Sequence, residues 1–314
     1  MHSTLSNTQT QPVSLWTTKD GQVPFFDDPT FNIEMLKWNR EPDTAFDSVY
    51  RRVLRGEISK IDIDIAIVLA RAKVLTEKQL RHLFRNIFPQ SHKLATRLRF
   101  LQKIGWFEGW RLESQFNDRE HLWSIGIAAK NYLGYGLGME VPDPIRISQS
   151  IKNCLPFCAI NDIRIMLVEK GVLKPDEFYW YPELAPDYES PMALMAMQTP
   201  IGKMVMYVER LSQNKLPARF MARKIKQYLK TFSENGGLYN PIPNSLPPVI
   251  VWSCGSEEAM RNILSVQKQF PSDITQFFLV DEFIKENDLR YAWRVATMNA
   301  SGEATIRAFD MDFL

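Results

Sequence analysis

The side chains of this sequence best suited to chemistry are cations set at helical spacing. His92, Thr96, Arg99 and Lys103 recur at i, i+4, i+7 and i+11, with Lys93 and Arg97 beside them. Arg219, Arg223, Lys226 and Lys230 repeat the same spacing further along. At 100° per residue each set shares one helix face. The four cations of the second set repel one another unless an anion lies against them. A phosphate backbone would serve, and so would an acidic surface of a partner subunit.

The charge distribution along the chain points the same way. The 314 residues carry a formal net charge of +2. Residues 71–103 hold nine cations against Glu77 alone, and residues 203–230 hold eight against Glu209 alone. The remainder is therefore net acidic. Two basic islands on an acidic background are the pattern of a surface that neutralises phosphates.

Other chemistries have less support. Neither a G-x-x-x-x-G-K-[ST] loop nor a G-x-G-x-x-G turn is present. Ser253-Cys254-Gly255-Ser256 has the position of a nucleophile between strand and helix, but no histidine follows His121 to activate it. Cys154-x3-Cys158 is not a zinc knuckle, and with Cys254 as the remaining cysteine and four histidines in all, no metal site is expected. Three cysteines agree with a reducing compartment. The polar start lacks a signal pattern, and no stretch nears about 18 uninterrupted apolar residues. A cytoplasmic protein without membrane contact is the expectation.

The elements that must position the cations can be outlined from periodicity. Residues 1–45 lack a sustained period and read as an extended arm. Ile61 to Ala72 carries a helical stripe. Thr76-Glu77-Lys78-Gln79 fits a capping box opening a second helix that runs to about Asn86. Ser91 would cap a third helix, 91–104, ending at Gly105, with Leu94, Leu98 and Leu101 buried opposite the cations. Two short strands follow, around Trp106–Arg111 and His121–Ile125, and a closing helix near Ala128–Leu133. Helix, helix, basic helix and hairpin is the order of a winged helix-turn-helix over 46–140. Its third helix enters the major groove, and its hairpin, carrying Arg111, lies by the backbone.

Gly134, Gly136, Gly138, Pro142 and Pro144 mark the expected domain boundary. Beyond it, in 150–314, helix Ala159–Glu169, strand Lys203–Glu209, helix Pro217–Phe232, strand Pro248–Trp252, helix Glu257–Gln267 and strand Gln276–Val280 alternate. Strands Tyr291–Ala296 and Ala304–Phe309 close the chain. Such alternation predicts an α/β sandwich with a partly parallel sheet, α+β overall. The helix 217–232 buries Met221, Ile225, Tyr228 and Phe232 opposite its cations.

The residues resemble the replication-relaxation family of plasmids and integrated mobile elements. The likeness lies in Leu75-Thr76-Glu77-Lys78-Gln79-Leu80, in the run from Arg97 to Trp106, and in Trp123-Ser124-Ile125-Gly126 before a helix. It continues in Phe157 to Ile163, in Pro182-Glu183 and in Pro191-Met192-Ala193-Leu194, covering roughly residues 60–300. The resemblance implies a winged helix joined to a domain similar to the restriction-endonuclease fold, and a relation to some plasmid relaxases. Endonucleases of that fold need an Asp at a strand start and a Glu-x-Lys on the next strand, the carboxylates holding Mg²⁺. Met192 stands at the Asp position, Glu209 matches, and Leu211 replaces the Lys. Glu183, Asp187 and Glu189 could substitute only with a shift of register.

These readings converge on a sequence-specific double-stranded DNA-binding protein of a bacterial plasmid or mobile element, acting in replication, conjugative transfer or transcriptional control. His92, Thr96 and Arg99 would lie nearest base edges, with Lys93, Arg97 and Lys103 on phosphates. Arg111, Arg219, Arg223, Lys226 and Lys230 would add contacts. The second domain would keep the nuclease-like fold without activity, Glu209 being a remnant. The alternative is a Mg²⁺-dependent endonuclease or relaxase. A homodimer and replication or transfer proteins of the same element are the protein partners considered.

Overall fold

The structure, a computed structural model, describes residues 16–37, 42–184, 188–212, 216–266, 274–286, 289–298 and 304–314. Its first half runs β1 (Asn32–Met35), α1 (Phe46–Leu54), α2 (Lys60–Ala72), β2 (Leu75–Thr76), α3 (Glu77–Leu83), α4 (Ser91–Lys103), β3 (Phe107–Glu113), β4 (Glu120–Ile125) and α5 (Ile127–Asn131). The strands form an antiparallel sheet in the order β1-β3-β4-β2.

Local sequence explains these boundaries. Thr76 and Gln79 form the expected capping box at α3, each side chain bonded to the other's backbone N–H. Ser59 and Asp62 do the same at α2. Ser91 does not cap α4: Gln90 has the extended backbone of the cap position, with no capping bond from its own side chain, and Ser91 is the first helical residue. Leu94, Leu98 and Leu101 are fully buried, packed with Ile65, Leu69, Trp106, Trp123 and Ile125. Gly105 and Gly126 press backbone to backbone beside the hairpin, where a Cβ on Gly126 would lie 2.3 Å from the Gly105 carbonyl oxygen.

The second half continues α6 (Pro144–Gln149), α7 (Leu155–Glu169), β5 (Leu173–Trp180), β6 (Ala193–Thr199), β7 (Gly202–Leu211), α8 (Pro217–Asn235), β8 (Val249–Cys254), α9 (Glu257–Val266), β9 (Gln276–Val280), α10 (Asp281–Glu286), β10 (Trp293–Met298) and β11 (Ala304–Phe309). Its sheet has the order β11-β10-β9-β8-β7-β6-β5. Pairs β7–β8 and β8–β9 are parallel and the others antiparallel, so the expected partly parallel sheet is present in a mixed α/β molecule. The side chains of α7 cover one face and those of α8 and α9 the other. Pro217 opens α8, and Gly236, with φ of 67°, ends it in the left-handed conformation that favours glycine. No helix among the described residues is long and apolar enough to cross a membrane.

Helix α7 joins the two halves. Its Leu155, Cys158 and Ala159 pack on Val74, Trp110, Leu112 and Leu122, while Ile160, Ile163 and Leu167 pack beneath the large sheet. Asn161 donates to the carbonyls of Ala72 (2.9 Å) and Val74 (3.0 Å), and Gln79 to that of Cys158 (2.7 Å). The arm expected over 1–45 is described from residue 16, and it is not free. Its β1 extends the small sheet beside β3, and Asp27 reaches Arg210 at the end of β7 (3.0 Å).

Candidate nucleic-acid interface

Helix α4 divides along its length. The leucine stripe is buried, whereas His92, Lys93, Thr96, Arg99 and Lys103 are exposed. None of the four basic side chains in that set has an ion-pair partner among the described residues. With Phe88, Arg97 and Phe100, residues His92, Lys93 and Thr96 also line a shallow hollow of about 380 Å³.

The charged end of Arg97 is engaged differently. Its guanidinium turns back to α2, where Nε donates to Asp62 Oδ1 (2.8 Å) and Nη2 to the Glu57 carbonyl (2.7 Å) and to Asp62 Oδ2. Burial works against the Asp62 carboxylate, yet the bonds from Arg97 and Ser59 hold it below the ordinary range for aspartate. Arg97 therefore fixes the orientation of α4 on α2 and is not available as an outward charge.

The hairpin brings further cations beside α4. Arg111 is tied to Glu34 of β1 and lies 3.3 Å from Glu113. Half-buried His121 is pushed below its usual value by burial, and Arg99, Arg119 and Arg111 add to the shift against the attraction of Glu77. The field of Arg99 thus overlaps that of the hairpin arginines.

The second basic face is less open. On α8, Arg219 and Lys226 are exposed without an ion pair among the described residues. Arg223 lies 3.9 Å from Glu189, and Lys230 lies 3.8 Å from Glu234.

On the inner side of α8, Lys224 Nζ is 2.9 Å from Glu209 Oε1 and 2.9 Å from Glu189 Oε1, and it donates to the Ser190 carbonyl (2.9 Å). Tyr228 donates to Glu209 Oε1 (2.5 Å). Glu209 is 1 % exposed, and burial raises its pKa against the opposing pull of Lys224 and Tyr228. Met192, Glu189 and Phe220 line the cleft of about 610 Å³ above this cluster. Leu211 packs into the core with Met221 and Ile225. Glu183 is not within this cleft, and Asp187 lies outside the described residues.

Lys224 was not among the residues expected to matter. Its signal was nevertheless present, because it stands at i+3 from Met221 and i−4 from Tyr228, inside the apolar stripe of α8. A lysine there must meet a buried acceptor. Among the described residues no three histidine, cysteine, aspartate or glutamate side chains gather as a metal site would require. Comparison with family models, curated proteins and solved structures returns no match for this chain.

Proposed function

We propose that the chain is a sequence-specific double-stranded DNA-binding protein that acts without turnover. In this reading α2, β2, α3, α4 and the β3–β4 hairpin make a winged helix-turn-helix. Helix α4 enters the major groove with His92, Thr96 and Arg99 toward the bases and Lys93 and Lys103 on phosphates. Arg219 and Lys226 on α8 add backbone contacts. The observation that carries the reading is the outward face of α4, cationic, exposed and without ion pairs among the described residues, held rigidly by a buried leucine stripe and the Arg97–Asp62 pair. The resemblance to the replication-relaxation family extends it to a plasmid or mobile element and to replication, transfer or transcriptional control.

A second reading, a Mg²⁺-dependent endonuclease of the restriction-endonuclease fold, draws on Glu189, Glu209 and Lys224 meeting beside the β6–β7 pair. As arranged, the Lys224 ammonium takes the place between the carboxylates that a divalent cation would need, which favours a neutralised pair over a metal site. Titration of a random duplex library at two salt concentrations, with and without Mg²⁺, separates the readings. The first gives an enriched sequence, a steep salt dependence and intact DNA. The second gives Mg²⁺-dependent nicking that Glu209→Gln abolishes.

A further inference from the structure

Away from α4, cations and aromatic rings lie side by side along the seam where α2, α7 and the end of β5 meet. Arg164 of α7 lies over the Phe178 ring at 4.4 Å. The Phe178 ring is 4.7 Å from Trp180, and Trp180 is 4.9 Å from Phe157. Lys73 Nζ sits among three rings, 4.7 Å from Tyr181, 5.1 Å from Phe157 and 5.7 Å from Trp180. The row joins two clefts. At one end Arg71, Lys73, Arg164 and Trp180 line a cleft of about 510 Å³. At the other, Phe157 and Tyr181 line the cleft that holds Arg223 and Lys224 together with Glu189 and Glu209.

The cations of the first cleft are not held in ion pairs among the described residues. Arg71, Lys73 and Arg164 form no ion pair among the described residues, although Glu140 and Asp176 line the same space. Burial, then Arg71 nearby, pushes Arg164 down to about 10, and burial lowers Lys73. The partial negative charge at the C-terminus of α2 accounts for Arg71 and Lys73 but not for Arg164, which stands mid-way along α7. Trp180 is half-buried and Tyr181 is 48 % exposed, so part of each side chain reaches solvent beside these cations.

We propose that this row binds a single nucleic-acid strand, with phosphates on Arg71, Lys73 and Arg164 and bases stacked on Trp180 and Tyr181. Cations set beside aromatic rings are what an unpaired strand requires, because its bases expose their faces and its phosphates lie at each step. A duplex, whose faces are stacked internally, uses the cations alone. The site goes beyond duplex reading by α4, and it would receive a strand opened beside the bound duplex.

The test is fluorescence polarisation of a labelled oligothymidylate of about a dozen nucleotides, which forms no duplex, on the full chain at two salt concentrations. Strong salt dependence is expected, with at least about fivefold weaker binding for Tyr181→Ala and weaker binding again for the double substitution Arg71→Gln and Arg164→Gln. Arg99→Ala should leave this binding unchanged. Arg71 is exposed, so Arg71→Gln alone gives a reading in a chain whose fold is not at risk. No binding, or binding lost in Arg99→Ala and kept in the Arg71 and Tyr181 variants, overturns the proposal. So does thymidine monophosphate displacing the probe as well as unlabelled oligonucleotide does, since the site would then take a mononucleotide and not a strand.

Discussion

Arg97 of α4 and Asp62 of α2 form an ion pair in which the carboxylate is 1 % exposed and also closes the capping box with Ser59. One carboxylate thereby caps the start of α2 and anchors α4 against it. Removing the arginine leaves a buried carboxylate with fewer donors, so Arg97→Ala should cost about 3 kcal/mol. Asp62 is held below its ordinary value, so its contribution is complete above the ordinary aspartate range and is lost as pH falls through the folded-state value. The variant should unfold at a higher pH on acidification, read by circular dichroism. Unchanged acid unfolding would remove the pair from the account.

Glu108 on β3 behaves in the opposite sense. It is buried, Oε2 has no hydrogen-bond partner among the described residues, and burial together with Asp143 raises its pKa to about 7. The folded state therefore holds a proton that the unfolded chain releases near pH 4.5. Stability should fall as pH rises from there to about 7 and then level off. Glu108→Gln should remove this slope and stabilise the protein at pH 8 by up to about 3 kcal/mol. Urea midpoints at pH 5 and pH 8 decide it, and parallel slopes in the two proteins would contradict the assignment.

Lys224 bridges two carboxylates at once, so its loss should be worse than the loss of either partner. Lys224→Met should destabilise by about 3–5 kcal/mol, and Glu209→Gln in the same chain should restore part of that. A double-mutant cycle followed by thermal melting measures the coupling. Strict additivity would mean that the three groups do not act together.

The arm depends on Arg210. This buried guanidinium bonds Asp27 at 3.0 Å and lies 2.8 Å from Asp281, while Pro24 and Asp27 press on Gly255, where a Cβ would meet Asp27 Oδ2 at 2.3 Å. Burial raises both carboxylates, Asp281 to about 6, against the attraction of Arg210. Arg210→Met should release the arm to proteolysis at pH 8, and acidification to pH 5 should return part of the protection as the two acids take up protons. Protection that is equal at both pH values would contradict this.

The sequence made some elements legible and hid others for definable reasons. Helix α4 was readable because Leu94, Leu98 and Leu101 keep a strict period, and α3 because its capping box is local. Strands β1 and β5 were not readable. Both lie at sheet edges, and β5 carries Pro175 with three exposed residues in succession, so neither period nor composition announces a strand. Arg97 looked like its neighbours on the cationic stretch because only the packing of α2 against α4 supplies Asp62. The second half was legible as alternating strand and helix, since β7, β8 and β9 are buried apolar runs. The meeting of Glu189, Glu209 and Lys224 spans three separate segments and has no local signature.

The central claim is that α4 reads base edges. It is tested most directly by measuring the affinity of Arg99→Ala and Lys103→Ala for the selected duplex and for a scrambled one at the same salt. The account predicts that Arg99→Ala loses about 1–3 kcal/mol on the selected duplex and little on the scrambled one, whereas Lys103→Ala weakens both alike. Equal losses on both duplexes in both variants would contradict it.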